Sequence, residues 1–204
     1  MKKIKLYSVI DYIGEISLDQ LFNRQRKIFE RYDSVENSFP ISDPKTFIKS
    51  LDAYILHAIE EVYEFYETSF TDKEELIDLF NYLLTIGSIF HKITGSVPDV
   101  DFVDEITYSS KVNVNAILHE INAKLITMRR LFPERKWHIA HDDSTVDFDR
   151  IEKSQRLIVE AVYGVFLLSS ILPYFNLTPK ELTNKSEAKV QKILQNSPKD
   201  SKRD

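Results

Sequence analysis

Residues 59–78 read IEEVYEFYETSFTDKEELID, and the fold turns on how this stretch divides. Upstream of it, Thr46 to Tyr66 places Ile48, Leu51, Ile55, Ile59 and Val62 at helical spacing, which predicts a helix with one apolar face. A second helix is predicted from about Lys73 to Ile93, ending at Thr94-Gly95 with Pro98 just beyond. Between them lies a short break at Thr68 to Asp72. Thr71 and Glu74 have the spacing of a capping box there. Two helices joined by so short a break pack antiparallel as an αα-hairpin.

Helical periodicity continues on both sides. Ser17 to Tyr32 starts on a residue suited to the N-cap and puts Leu18, Leu21, Phe22, Ile28 and Phe29 on one broad face. Asp33 to Pro44 holds two prolines and several Ser, Asn and Asp residues and reads as a loop. Ser96 to Ser110 is acidic and turn-like, Asn113 to Leu131 is helical again, and Pro133 to Thr145 is polar. Asp147 to Leu172 predicts a long helix stopped by Pro173. A last helix is predicted after Thr178-Pro179, with Thr178 as cap and Pro179 in the first helical position. Lys3 to Ile10 is the only stretch with strand character. The expectation is an all-α bundle of about six main helices, one domain over residues 1–196, with a disordered tail at 197–204.

Composition narrows the function. The chain has 204 residues, 43 % of them apolar and 12 % aromatic, enough for a sizeable core. Four glycines argue against Gly-rich phosphate loops, and the absence of cysteine excludes disulfides, thiolate zinc sites and a cysteine nucleophile. A net charge of −5 gives no global pull towards nucleic acid or an anionic membrane. The N-terminus is not patterned as a signal peptide. No apolar run reaches the roughly 20 residues of a bilayer span; the longest, Leu157 to Leu172, carries Glu160 and reads as a buried helix. A cytoplasmic location is expected.

The acids of the opening stretch carry the chemistry. Glu61 and Glu64 are three apart, as are Glu75 and Asp78, so each pair shares one helix face. The midpoint of Glu64 and Glu75 is position 69.5, and so is that of Glu61 and Asp78. In a hairpin turning there, Glu64 lies level with Glu75 and Glu61 level with Asp78. Packed helix axes lie roughly 8–10 Å apart, so carboxylates from both arms can share an ion. Without a cation they would repel each other and hold raised pKa values. A hard, oxygen-seeking ion such as Mg2+ resolves the conflict and commonly brings substrate phosphates with it. The bland alternative is that these acids are solvated and capping groups, since Glu74 and Glu75 lie in a first helical turn where acids are favoured anyway.

At these residues the chain resembles the all-α nucleotide pyrophosphatase superfamily, which includes MazG-type enzymes and the dimeric dUTPases. Its hallmark is Glu-Glu-x-x-Glu followed by Glu-x-x-Asp. Glu60, Glu61 and Glu64 fit the first half, and Glu75 and Asp78 the second. Residues 75–87, ELIDLFNYLLTIG, are similar to the dUTPase segment, with Asn81 where that family usually has His. A late helix of the dimeric dUTPases carries Lys-Asn-x-x-Asn-x-x-Arg for the phosphates; here Lys185 matches, Lys189 replaces Asn and Lys192 replaces Arg. Gln25 stands for the Gln of the family's first helix, and Phe29 replaces its Asn or Asp. The family's Trp-Lys-x-Trp element is replaced by Phe65 to Phe70.

The resemblance implies hydrolysis of a nucleoside triphosphate, dUTP first among them, to the monophosphate and pyrophosphate. It implies two or three Mg2+ ions, with Mn2+ as a substitute, on Glu61, Glu64, Glu75 and Asp78. Glu61 or Glu64 would take the proton of the attacking water. Gln25, Asn81, Lys185, Lys189 and Lys192 would contact the nucleotide, and the chain would form a homodimer. The alternatives are a MazG-like pyrophosphatase of other or broader specificity, a non-catalytic helical interaction protein, and a nucleic-acid binder using Arg129 to Lys136. The net acidity and the lack of a continuous basic stripe disfavour the last. Arg129 to His138 reads either as a basic lip for phosphate or as a surface loop with Trp137 packed inward. No Glu-x-x-His pair exists, which disfavours a carboxylate-bridged di-iron bundle.

Overall fold

The computed structural model describes residues 12–13, 16–33, 44–94, 113–131 and 143–196. Within them the chain is an all-α bundle of six helices: α1 (Leu18–Asp33), α2 (Pro44–Glu67), α3 (Glu74–Thr94), α4 (Val114–Leu131), α5 (Asp143–Ile171) and α6 (Pro179–Asn196). A minimal antiparallel pair, β1 (Tyr12–Ile13) with β2 (Ile16–Ser17), precedes α1. The expectations for Lys3 to Ile10, for residues 34–43 and 96–110, for 132–138 and for the tail at 197–204 lie outside the described residues.

Capping chemistry sets most helix starts. Ser17 Oγ accepts the Gln20 N–H at 3.2 Å while Gln20 Oε1 accepts the Ser17 N–H at 3.1 Å, a reciprocal box at the start of α1. Thr178 and Glu181 do the same for α6, at 3.2 and 2.8 Å. Asn113 Oδ1 accepts the Ala116 N–H ahead of α4. The expected Thr71–Glu74 box does not form. The Glu74 N–H goes to Asp72 Oδ1 at 2.9 Å, and the Thr71 hydroxyl donates back to the Thr68 carbonyl at 2.6 Å. The reason is how α2 closes, described below. Helix α5 starts at Asp143 rather than Asp147, inside the run read as polar loop, and Pro173 converts its end into a 3-10 turn over Leu172–Phe175. Asn176 closes that turn in the left-handed region at φ 51°, which an asparagine tolerates.

Helix α3 is the centre of the bundle and packs against α5, α2, α1 and α6; α4 lies against α5 and α2. Its apolar residues are buried almost without interruption, from Leu76, Ile77, Leu79 and Phe80 through Leu83, Leu84, Ile86 and Ile89. They meet Phe22 of α1, Ile55 and Val62 of α2, Leu125 of α4 and Leu168 of α5 in one core. The segment Gln155–Phe175 is long and apolar enough to cross a membrane. It packs between α3 and α4, and its Glu160 is ion-paired with Lys124 of α4 at 3.3 Å.

Candidate functional site

The site begins with the turn that joins α2 to α3. The Phe70 N–H reaches back to the Phe65 carbonyl at 3.0 Å and the Ser69 N–H to the Tyr66 carbonyl at 2.9 Å. This is a Schellman closure. It requires a left-handed residue after the helix, and Ser69 supplies it at φ 54°, followed by Phe70 at φ 64°. The Phe70 ring lies edge-on to Phe65 with centroids 5.4 Å apart, the apolar contact that accompanies such closures. The closure uses residues 65–70, so the next helix takes its cap from Asp72.

The turn fixes the register of the two arms. Glu61 and Glu64 on α2 and Glu75 on α3 each bring a carboxylate oxygen to within 4.8 Å of the others. Glu75 is the middle member, within reach of both Glu61 and Glu64. Two carboxyl groups can share a hydrogen bond only if one keeps its proton. Burial, then the hydrogen bond with Glu75, then the charges of Asp78, Glu75 and Glu64 push the Glu61 carboxyl up to about 8. Glu64 is also raised, chiefly by the charge of Glu75. The charges acting on Glu61 and Glu64 are the mutual repulsion expected of acids brought together.

Asp78 lies deeper in the hairpin. It senses Glu75 and Glu74 and adds to the field on Glu61, but its oxygen is engaged by the Lys189 ammonium of α6. Burial raises its pKa, against the opposing hydrogen bond and charge of Lys189. Lys185, one turn back on α6, lies 3.6 Å from Glu74, and Lys189 reaches the same carboxylate at 3.8 Å. Lys192 is exposed further along α6. Glu60, the first acid of the motif, turns away and pairs with His57 at 2.7 Å.

Gln25 and Asn81 sit in a different setting from the carboxylates. Gln25 is 3 % exposed. Its amide donates to Thr85 Oγ1 at 2.8 Å and to the Asn81 carbonyl at 3.2 Å, while its Oε1 is buried without a partner among the described residues. The Asn81 side chain accepts the Ser186 hydroxyl at 2.7 Å. Arg24 completes the network, donating to Ser186 Oγ and to Glu187 Oε2, each at 2.7 Å. These groups join α1, α3 and α6 and hold the lysine-bearing helix against the acidic hairpin.

Two residues beside the acids were not singled out from the sequence. Tyr82 lies one turn beyond Asp78, and burial with the charges of Glu61 and Asp78 pushes its phenol up to about 12. The His57 ring stacks on it, with centroids 5.6 Å apart and planes 19° from parallel. The signal was available, because His57 and Tyr82 also have their midpoint at 69.5. Arg129, from the basic run, is committed to Asp52 of α2 at 3.2 Å.

Comparison of the chain with protein-family models, with curated proteins and with solved structures gave no match.

Proposed function

We propose that the chain is a metal-dependent nucleoside triphosphate pyrophosphohydrolase, acting on dUTP or a related nucleotide and releasing the monophosphate and pyrophosphate. One observation carries this reading: three carboxylates from two helices converge within 4.8 Å, with Asp78 beside them and two lysines of a third helix at their edge. The donor set fits Mg2+. All donors are oxygens, as a hard cation requires, and ligands about 2.1 Å from an ion stand roughly 3–4 Å from one another, a spacing that small side-chain rotations reach. The raised acids point the same way, because a cation among them would offset both the burial and the neighbouring charges that push Glu61 up.

Bound there, Mg2+ would neutralise phosphate charge and make a bound water more acidic. Glu61, Glu64, Glu75 and Asp78 would hold the ions. Glu64, the exposed member of the trio, or Glu61 would accept the proton of the water that attacks the α-phosphorus. Lys185 and Lys189 would draw the triphosphate onto the α6 side and offset the charge that grows on the departing pyrophosphate. Lys192, exposed on the same helix, would extend that cationic edge. No covalent intermediate is needed.

A broader or different nucleotide range is the second reading, and Gln25 favours it. Its amide is enclosed and bonded to Thr85 and Asn81, so it is not presented to a base. A panel of deoxy- and ribonucleoside triphosphates with pyrophosphate detection separates the two. Glu64→Gln and Asp78→Asn should each abolish Mg2+-dependent pyrophosphate release while helicity stays intact. Full activity in both variants sinks the assignment. A chain that binds neither Mg2+ nor any nucleotide in calorimetry is instead a helical interaction protein. The homodimer belongs to the same proposal and is checked by light scattering.

A further inference from the structure

Lys189 pairs directly with Asp78 beside the acidic site, and it is not a surface pair. Its side chain is 32 % exposed and that of Asp78 25 %, so neither group is freely solvated. The helix that carries it is fixed by Arg24 to Ser186 and Glu187 and by Ser186 to Asn81. The ammonium therefore belongs to a built contact. Lys185 differs: among the described residues its ion pair is with Glu74, at 3.6 Å, with both side chains about half exposed.

An ammonium and a divalent cation compete for the same carboxylate oxygen, and each disfavours the other nearby. Resting on the metal reading above, we infer that Lys189 is a built-in counter-ion for Asp78 that a divalent cation must displace, so that metal binding and polyphosphate binding reinforce each other. Once displaced, the ammonium stands beside a cation of like charge. Glu74 lies 3.8 Å from Lys189 and offers a second seat, but that carboxylate is exposed and shared with Lys185. The phosphate oxygens of an incoming nucleotide are the better partner, being anionic and already attached to the metal. The exchange makes free Mg2+ bind weakly and the metal–triphosphate complex bind well. By linkage, the factor by which a polyphosphate tightens Mg2+ is the factor by which Mg2+ tightens the polyphosphate.

The test is calorimetric titration of the full chain with Mg2+ alone and with Mg2+ in the presence of inorganic tripolyphosphate. Lys189→Met should bind Mg2+ alone about tenfold more tightly than the parent chain and lose most of the tightening that tripolyphosphate produces, within the usual 5–150-fold span of such couplings. Lys189→Gln, which keeps a polar end, should behave in the same direction. Lys185→Met should leave the affinity for Mg2+ alone within about twofold, since its partner is exposed. Unchanged Mg2+ affinity in both Lys189 variants, with binding present, overturns the counter-ion role and leaves the metal site standing. No Mg2+ binding by the parent chain or by either Lys189 variant overturns the metal site and the counter-ion role together.

Discussion

Glu61 and Glu75 face each other across the α2–α3 hairpin with carboxylate oxygens within 4.8 Å, and burial, then the contact with Glu75, holds Glu61 well above the usual carboxylate range. Burial and its acidic neighbours push the folded Glu61 carboxyl up to about 8 from an ordinary 4.5. Between those values the folded state binds more protons than the unfolded one, so stability falls as pH rises. The contribution is complete below about 4.5 and lost by the time pH passes 8. Glu64 is shifted in the same direction. Glu181, lowered by its hydrogen bonds from Thr178, and Glu187, lowered first by Gln191, act only below the ordinary carboxylate range. In EDTA the melting temperature should therefore drop from about pH 5.5 to about pH 8.5, and Glu61→Gln should flatten the slope. Saturating Mg2+ should recover most of the loss at the alkaline end. A parent chain with a flat profile in EDTA would contradict the carboxyl pair.

Ser69 occupies the position where a helix usually ends in glycine. An L-residue in the left-handed region costs about 1–2 kcal/mol, and Ser69 stands there at φ 54°. Ser69→Gly removes that cost and adds backbone entropy to the unfolded chain, worth about 0.5–1 kcal/mol. The net expectation is a gain of about 0.5–1 kcal/mol, read as a rise in melting temperature of roughly 1–4 °C for a protein of this size. A fall would mean that the Ser69 side chain contributes something the closure geometry does not explain.

The two described helical glycines should respond differently to alanine. A Cβ on Gly87 would come within 2.4 Å of Phe22 Cε1 and 2.7 Å of Cζ. That ring is fully buried and packed against His91, so it cannot swing away cheaply. Gly87→Ala should cost about 1–3 kcal/mol, as other overpacked cores do. On Gly164 the nearest atom is Leu83 Cδ2 at 2.9 Å, the end of a rotatable side chain. The roughly 1 kcal/mol gained in helix propensity offsets that shift, and Gly164→Ala should fall within about 0.5 kcal/mol of the parent in urea denaturation. Equal losses at both sites would show that Leu83 is as fixed as Phe22.

The helices were legible because their information is local. Periodicity, the Ser17 and Thr178 caps and Pro173 each act within a few residues. The meeting of Glu61, Glu64 and Glu75 was legible for a related reason: a short turn converts sequence distance from its centre into depth along both arms, although the same rule set Glu61 against Asp78, which Lys189 engages instead. The same rule places His57 level with Tyr82. Two features were not readable. The Thr71–Glu74 spacing gives no hint that the preceding helix closes through Ser69 and Phe70 and passes the cap to Asp72. The pairing of Lys189 with Asp78 depends on where α6 docks, and that is decided by Arg24, Ser186 and Asn81, side chains far apart in sequence whose polar contacts leave no periodic imprint. Gln25 shows the reverse case. Its place on a helix was predictable, but its enclosure between Thr85 and Asn81 emerges only when α1 and α3 meet.

On the proposed function, Arg24 is where holding metals and holding phosphates would separate most sharply. Its guanidinium bridges Glu187 Oε2, Ser186 Oγ and, at 3.4 Å, the Thr183 carbonyl. All three are on α6, the helix of Lys185 and Lys189, while the carboxylates are on α2 and α3. Hydrogen bonds to charged groups contribute about 1.5–3 kcal/mol each, and a partner left unsatisfied adds to the loss. Arg24→Met should therefore destabilise the chain by about 2–3 kcal/mol and speed amide exchange along α6 before it does so along α2 or α3. With α6 loosened, KM for the nucleotide should rise several-fold, while the trio keeps its register and its affinity for Mg2+. Arg24→Lys should not rescue KM, because one ammonium cannot reproduce a planar fork with three separate partners. Loss of Mg2+ binding together with nucleotide binding in Arg24→Met would show that α6 and the hairpin form a single unit, and that the lysines and carboxylates cannot be tuned apart.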